Sequence, residues 1–381
     1  MRQVVGIVGS GMVGRDPFDP RCWSRISKNF FEALQRQGRL HRAFGVEVPA
    51  YLRYPLMALD FRRDRNLWRS KFNLDPRYYA LLTRAIRKAL LPTDLDHHLL
   101  QIGGHYDSVE ACAGRAPCCS YHDGNVAQLM RGPNFPPSLK ADGARAFRWE
   151  KAVYARLTRI FVMNEFWRNS FINDFDLPAD KVVNVGVGLN LQPPASVADK
   201  DYSRAEILFV GIDFERKAGP LLVRALDRVA PKHPGAKLHV VGPHQRPAIL
   251  DDGKDRPHVV FHGHLSRENP EQVKKLFELL HRCTIVVLPS LYEPLGVALL
   301  EGMAFGAAGV ASNAWSFPEL IQHEVDGLLF SLGNEMELAD VLDRYLANPD
   351  LRAAHGRRAH EKVVAKYSWD LVAQRIGAAI G

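Results

Sequence analysis

Apolar residues along this chain come in short bursts separated by amphipathic stretches. Val4 to Val8 is a β-branched run that ends in glycines, and a helical pattern follows from Ser24 to Gln37, closed by Gly38. That spacing predicts a strand, a loop and a helix. Further strands are expected at Leu99–Ile102, Cys118–Tyr121 and Ile160–Met163, with amphipathic helices near 77–91, 144–157 and 165–174. After Val182–Val185, residues 186–203 carry Pro193-Pro194, glycine and small polar residues, and read as a linker. The alternation then resumes. Strands are expected at Ile207–Val210, Lys237–Val241, Val259–His262 and Thr284–Leu288, and helices at Pro220–Val229 and Pro270–His281. Strands alternating with helices predict an α/β fold class with two Rossmann-like, doubly wound parallel-sheet domains facing a central cleft. The domains are expected at 1–186 and 187–367. Ligands of such sheets bind beyond the carboxyl ends of the strands, so chemistry is sought in the loops after residues 8, 121, 210, 241, 262 and 288.

A length of 381 residues suits two domains, and 46% hydrophobic against 24% charged residues excludes a disordered chain. The five cysteines form an odd set with no C-x-x-C pair, which fits reduced thiols better than disulfides or a zinc ribbon. No apolar run approaches 18 residues, and three glycines interrupt Val4–Val13, unlike a signal peptide. The charge of +8 is lopsided, with +10 in residues 1–181 and −2 in residues 182–381. The first domain is therefore expected to meet something anionic.

Gly9-Ser10-Gly11-Met12-Val13-Gly14 is a literal G-x-G-x-x-G after a strand. A dinucleotide fingerprint needs a helix opening inside the loop, and Pro17 and Pro20 interrupt the next turns. A long loop over a cleft, with Gly11 and Gly14 toward the acceptor, fits better. In Pro289-Ser290-Leu291-Tyr292-Glu293-Pro294-Leu295-Gly296-Val297 a buried strand ends in a tight loop carrying Glu293, and Gly296 opens a helix whose N–H groups and dipole favour an anion. Glu301 lies over a turn further on. A carboxylate only accepts hydrogen bonds, so two of them flanking an anion site suit the hydroxyls of a nucleotide sugar. Arg216-Lys217 gains interest from its place after a strand. His262 and His264 lack a third ligand at metal spacing and read as structural. Asp94-Leu-Asp96 and Asp174-Phe-Asp176 read as surface turns.

The segment Glu293-Pro-Leu-Gly through Glu301-Gly-Met-Ala, a Glu-x7-Glu motif, resembles the retaining glycosyltransferases of family 4, which have the GT-B fold. Phe209-Val-Gly-Ile-Asp-Phe-Glu-Arg-Lys217 resembles that family's phosphate loop, Phe261-His-Gly-His264 its base-side loop, and Phe161–Glu165 with Asp180–Asn190 the end of its first domain. Tyr367-Ser-Trp369 resembles its terminal segment, so a helix at about 368–381 is expected to pack back on the first domain. The resemblance implies that Glu293 holds the donor sugar, that Arg216 and Lys217 bind the diphosphate and that Glu301 holds the ribose. It implies nucleotide contacts for Gly211, His264, Leu265, Pro294, Leu295, Gly296 and Val297, and a donor-facing role for His122 in Ser120-Tyr-His-Asp123. Two positions depart from the family: Ile212 stands where an arginine is usual, and Ala218 where glycine often follows the lysine.

The resulting expectation is a metal-independent, retaining hexosyltransferase with no cofactor. It would move a sugar from a nucleotide diphosphate donor, foremost a UDP-sugar, to a saccharide or lipid-linked saccharide in polysaccharide or glycoconjugate synthesis. The alternatives are a nucleotide-sugar epimerase of the same fold, a non-catalytic nucleotide-sugar sensor and an NAD(P)-dependent oxidoreductase using the Gly9–Gly14 loop. A cytoplasmic location is expected, with no nucleic-acid partner. On a wheel of residues 77–91, Arg77, Arg84, Arg87 and Lys88 share one face near the Arg62–Lys71 cluster, which raises peripheral attachment to an anionic membrane surface.

Overall fold

The computed structural model describes residues 3–9 and 16–381. Gly11 and Gly14 lie outside the described residues. The chain divides into two units, residues 1–190 with 368–381 and residues 191–367.

In the first unit six parallel strands, β1 (Val4–Gly9), β2 (Leu40–Val46), β3 (His98–Ile102), β4 (Cys118–His122), β5 (Arg159–Val162) and β6 (Val182–Asn184), lie in the order β2-β1-β3-β4-β5-β6. Val4, Val5, Ile7 and Val8 of β1 are all buried, as a central strand covered on both faces requires. The strand order reverses between β1 and β3. Tyr106 closes that point: its hydroxyl donates to Ile7 O (2.6 Å) and accepts the Ile102 N–H (3.0 Å). A Cβ on Gly9 would lie 2.6 Å from the Tyr106 ring, so this glycine is set by packing. Among the described residues the first α-helix of the unit is α1 (Ile26–Arg36), which follows a short 3-10 turn at Cys22–Arg25.

Phe30 of α1 stacks on Tyr121 (4.9 Å between centroids) and meets Trp369 at 5.9 Å. Trp369 opens the helix Trp369–Ile380, which lies on α1 and is tied there by Arg36–Asp370 (2.8 Å) and by Arg375 donating to Val185 O (3.1 Å). Three further helices precede β3: α2 (Ala50–Leu59), α3 (Arg65–Asn73) and α4 (Pro76–Ala89). Asp75 caps α4 by accepting the Arg77 N–H, with Pro76 in the first turn where its missing N–H is harmless. Tyr78, Tyr79, Leu82 and Ile86 turn inward, while Arg84, Arg87 and Lys88 face out. The basic face is thus the solvated back of a packed helix, and Arg87 donates to Glu110 O (3.0 Å).

The second unit repeats the plan. Strands β7 (Glu206–Val210), β8 (Lys237–Val241), β9 (Val259–Gly263), β10 (Ile285–Leu288), β11 (Ala308–Ser312) and β12 (Gly327–Phe330) form a parallel sheet in the order β12-β11-β10-β7-β8-β9. Ile207, Phe209, Leu238, Val240, Val287 and Val310 are fully buried in it. Here the order reverses between β7 and β10, so a ligand crevice is expected beyond Val210 and Leu288.

The helix Lys140–Arg156 carries Glu150 into the first unit's core, where its Oε2 accepts the Val126 N–H (3.0 Å). Burial raises the Glu150 carboxyl from 4.5 to about 7. The folded state therefore keeps a proton that the unfolded chain has lost, and stability falls as pH rises across that window. Glu150→Gln keeps the acceptor and removes the charge. Its melting temperature should exceed the wild type's at pH 8 and nearly match it at pH 4.5; a difference independent of pH in thermal scans would refute this.

Candidate active site

The loops leaving β7 and β10 meet at the second unit's reversal point, and two glycines make room for the β7 loop beside the exit of β8. A Cβ on Gly211 would lie 2.1 Å from Lys217 Cδ, and one on Gly242, at φ +124°, would lie 2.5 Å from the Gly211 carbonyl. The loop then folds on itself. Asp213 Oδ1 accepts the Arg216 N–H (3.1 Å), and Lys217 N–H reaches Asp213 O (3.1 Å). Ala218 adopts a left-handed conformation (φ +52°) and the helix Gly219–Val229 begins. Ile212, where the family resemblance expects arginine, is exposed.

Arg216 and Lys217 both reach the β10 loop. Arg216 Nη1 donates to Tyr292 O (2.7 Å), and the Leu291 N–H returns a bond to Arg216 O (3.0 Å). Trp315 adds Nε1–H to Leu291 O (3.0 Å) and packs edge-on to Tyr292. Lys217 Nζ lies 2.6 Å from Glu293 Oε2. Glu293 also accepts the Ser290 hydroxyl at Oε2 (3.2 Å) and the Gly296 N–H at Oε1 (3.3 Å). Both charges are largely removed from water, so each depends on the other.

Gly296 sits at φ +79° and precedes the helix Val297–Ala304. A side chain there would meet Phe317 at 2.9 Å. Pro294 and Val297 are half-buried beside it and Leu295 is buried. Within the helix Glu301 is 3% exposed; Arg267 Nη2 donates to its Oε2 (2.6 Å), while among the described residues Oε1 meets no hydrogen-bond donor. A buried carboxylate oxygen without a donor is costly. His264 and Leu265 are half-buried after β9, and the His264 ring lies 4.3 Å from that of His244. The second unit thus gathers Gly211, Arg216, Lys217, Glu293 and Gly296 at one reversal point.

His122 stands elsewhere. It is 2% exposed in the first unit, with Nε2 on the Ser120 hydroxyl (2.7 Å) and its ring against Tyr154 and Phe171. Burial pushes it down to about 3, so it is a neutral ring in the core. Its neighbour Asp123 accepts the Trp23 indole N–H (2.8 Å), and burial raises that carboxyl.

Among the described residues, Glu206, His239 and Cys283 could hold a metal ion, at the start of β7, on β8 and just before β10. Arg282 already engages both Glu206 oxygens (2.6 and 2.7 Å), and His262 occupies His239 Nδ1 (2.9 Å). This reads as a self-contained ionic network.

Arg267, Tyr292, Trp315 and His244 join the site without having been singled out in the sequence. Ser290 could have been found, since it lies inside the quoted loop. Arg267 carries no local pattern pointing to Glu301, 34 residues away.

Two doubly wound units of this kind define the fold of the GT-B glycosyltransferases. The structure is similar to sucrose-phosphate synthase from Thermosynechococcus elongatus, with a TM-score of 0.72 over 99% of this chain and 98% of that one at 16% identity. It is also similar to an Anabaena protein solved in complex with UDP, with a TM-score of 0.66 over 99% of each chain at 16% identity. Residues 204–348, which contain the cluster just described, match the family Glycosyl transferases group 1. In sequence the chain is 30% identical over 234 residues to an uncharacterised glycosyltransferase of Methanocaldococcus jannaschii, covering 57% of this chain and 58% of the relative. The chain spans about half the length of the curated relatives it matches.

Ala218 holds a conformation that costs a side-chain-bearing residue roughly 1–2 kcal/mol relative to glycine, partly offset by glycine's freer unfolded chain. Ala218→Gly should therefore stabilise the second unit by up to about 1 kcal/mol. A lower denaturation midpoint in urea would show that the methyl group contributes packing that outweighs the strain.

Proposed function

We propose that this chain is a glycosyltransferase that moves a sugar from a nucleotide diphosphate donor, foremost a UDP-sugar, to a hydroxyl of a saccharide or lipid-linked saccharide, with retention of anomeric configuration. The observation that carries this reading is the Lys217–Glu293 pair at the β7/β10 reversal, beside Arg216 and the Gly296 helix start. A cation pair next to a helix N-terminus is an anion site, and a carboxylate within it suits sugar hydroxyls. UDP is favoured by the fold likeness to the Anabaena protein solved with that nucleotide.

In this reading the donor diphosphate draws Lys217 toward itself and frees Glu293 for the sugar hydroxyls. As the bond from the anomeric carbon to the phosphate oxygen breaks, negative charge gathers on the leaving diphosphate. Arg216, the repositioned Lys217 and the amides after Gly296 face it, and losing one such group typically costs about 10²- to 10³-fold in rate. The acceptor oxygen attacks the same face, and its proton passes to the leaving phosphate. These cations perform the charge stabilisation without a metal. Glu301, held by Arg267, offers Oε1 to a ribose hydroxyl. The acceptor is assigned to the first unit, with synthesis of a polysaccharide or glycoconjugate at the cytoplasmic face of a membrane. Five buried thiols suit a reducing compartment. Among the described residues no helix is long and apolar enough to cross a membrane, and attachment at the surface is proposed.

UDP should raise the melting temperature more than GDP, ADP or NAD does; at 100 times its dissociation constant a ligand stabilises the folded state by about 2.7 kcal/mol. A larger shift with NAD than with any nucleoside diphosphate would sink the transferase reading.

Glu293→Ala and Lys217→Ala should each reduce kcat by at least about 10²-fold, whereas Glu301→Ala should act mainly on KM, because ribose carries the same charge in ground and transition states. Thermal scans must accompany the kinetics, since either single change leaves the other charge of the pair buried alone. Near wild-type turnover by folded Lys217→Ala at saturating donor would contradict the assignment.

A further inference from the structure

Of the eleven large hydrophobic residues exposed among the described residues, five fall between 51 and 61: Tyr51, Leu52, Tyr54, Leu59 and Phe61. They belong to α2 and the turn after it. A soluble helix normally turns one apolar stripe inward and shows water a polar face. Helix α2 does the reverse: Leu56 is its one buried side chain, while Tyr51, Tyr54, Pro55 and Ala58 line an outer face flanked by Leu52 and Leu59. An apolar surface this concentrated marks an interaction site.

The turn after α2 and helix α3 surround this face with cations. Trp68 Nε1 donates to Met57 O (2.9 Å) and its ring meets Phe61 edge-on, fixing α3 against α2. Arg62, Arg63, Arg65 and Arg69 are all exposed. The nearby acids do not offset them. Asp64 is used as the cap of α3, accepting the Asn66 and Leu67 N–H groups, and buried Asp60 is paired with Lys71 (2.9 Å) and Arg77 (3.2 Å).

We propose that α2 and α3 form a docking surface for an anionic lipid bilayer, with Tyr51, Leu52, Tyr54, Leu59 and Phe61 entering the headgroup boundary and the four arginines meeting lipid phosphates. Aromatic and leucine side chains on one side with arginines beside them are the composition of a helix that lies in a membrane interface. Charge complementarity selects the occupant: an uncharged partner would have no use for four exposed guanidinium groups around the apolar face. The proposal deepens the peripheral location suggested above and moves it from α4 to α2–α3. It rests on that location and not on the transfer chemistry, because vesicle binding is measured without turnover.

The experiment is co-sedimentation of the full chain with vesicles of phosphatidylcholine alone or with rising phosphatidylglycerol, at low and high salt. Three exposed-site variants are compared: Tyr51→Ser/Leu52→Ser/Leu59→Ser, Arg62→Gln/Arg63→Gln/Arg65→Gln/Arg69→Gln, and Arg84→Gln/Arg87→Gln/Lys88→Gln on α4. Each basic residue at an anionic surface contributes about fivefold in partitioning, so the α3 variant should bind phosphatidylglycerol vesicles at least about tenfold more weakly. The apolar variant should weaken comparably and keep its salt dependence. The α4 variant should bind as the wild type does, and all three should keep the wild-type melting temperature. Equal pelleting of wild type and apolar variant, or weakening by the α4 variant alone, would overturn the proposal. So would a wild-type dimer that the apolar variant converts to monomer while neither binds vesicles, which would assign the face to a second copy of the chain.

Discussion

Two opposite charges withheld from water, Lys217 and Glu293, set the terms for the second unit. Neither is tolerable there alone, because the desolvation of an isolated ion is offset only by a partner in good geometry. The partners are 76 residues apart in sequence and must be delivered by the ends of two strands that become neighbours only where the sheet reverses. Everything around them serves that register. Gly211 and Gly242 let the exits of β7 and β8 touch, Arg216 exchanges hydrogen bonds with the backbone at Tyr292 and Leu291, and Trp315 ties the same loop from the other side. The pair is therefore preorganised by backbone, which is stiffer than any arrangement of long side chains holding one another.

That stiffness has a chemical meaning. A site that answers developing charge works best when its dipoles already point where the charge will be. The loop carrying Arg216 and Lys217 is closed by its own hydrogen bonds before any ligand arrives, and the amides at the start of Val297–Ala304 are aimed by a glycine conformation rather than by contact with substrate. Glu301 differs in kind. It is anchored through one oxygen by Arg267 and has the other waiting, an arrangement suited to recognition.

How much of this was legible in the sequence follows from what each segment packs against. Strands covered on both faces, such as β1, β7 and β10, are largely continuous apolar runs and stand out. Strand β2 does not, because it lies at the sheet edge, half-buried, with His41 and Arg42 in its middle. Strand β11 is Ala-Gly-Val-Ala-Ser, small residues demanded by close neighbours: a Cβ on Gly309 would sit 3.1 Å from Ile321 and Met303. Helix α2 escaped because it is apolar nearly all round and has no helical period to detect. The places of Glu293, Arg216 and Lys217 in loops after strands, and of Glu301 in the helix that follows, were legible because such positions are local properties. The partnership of Arg267 with Glu301 is not local, and neither is the orientation of His122. Its place at the end of β4 was readable, but whether the ring pointed outward or into the core depended on Tyr154 and Phe171, which come from later helices.

The return of residues 368–381 to the first unit makes that unit discontinuous, with the whole second unit inserted between Asn190 and Ser368. On the ribosome the consequence is one of timing. The aromatic stack on α1 lacks Trp369 until residues 191–367 have been synthesised, an interval of roughly 10–40 s at ordinary elongation rates. Phe30 and the backbone at Gly188 are therefore without their final cover while the second unit, whose own chain is uninterrupted, can already collapse. The unit that is made first is completed last. During that interval its unfinished aromatic surface is the part of the nascent chain with most to gain from a chaperone.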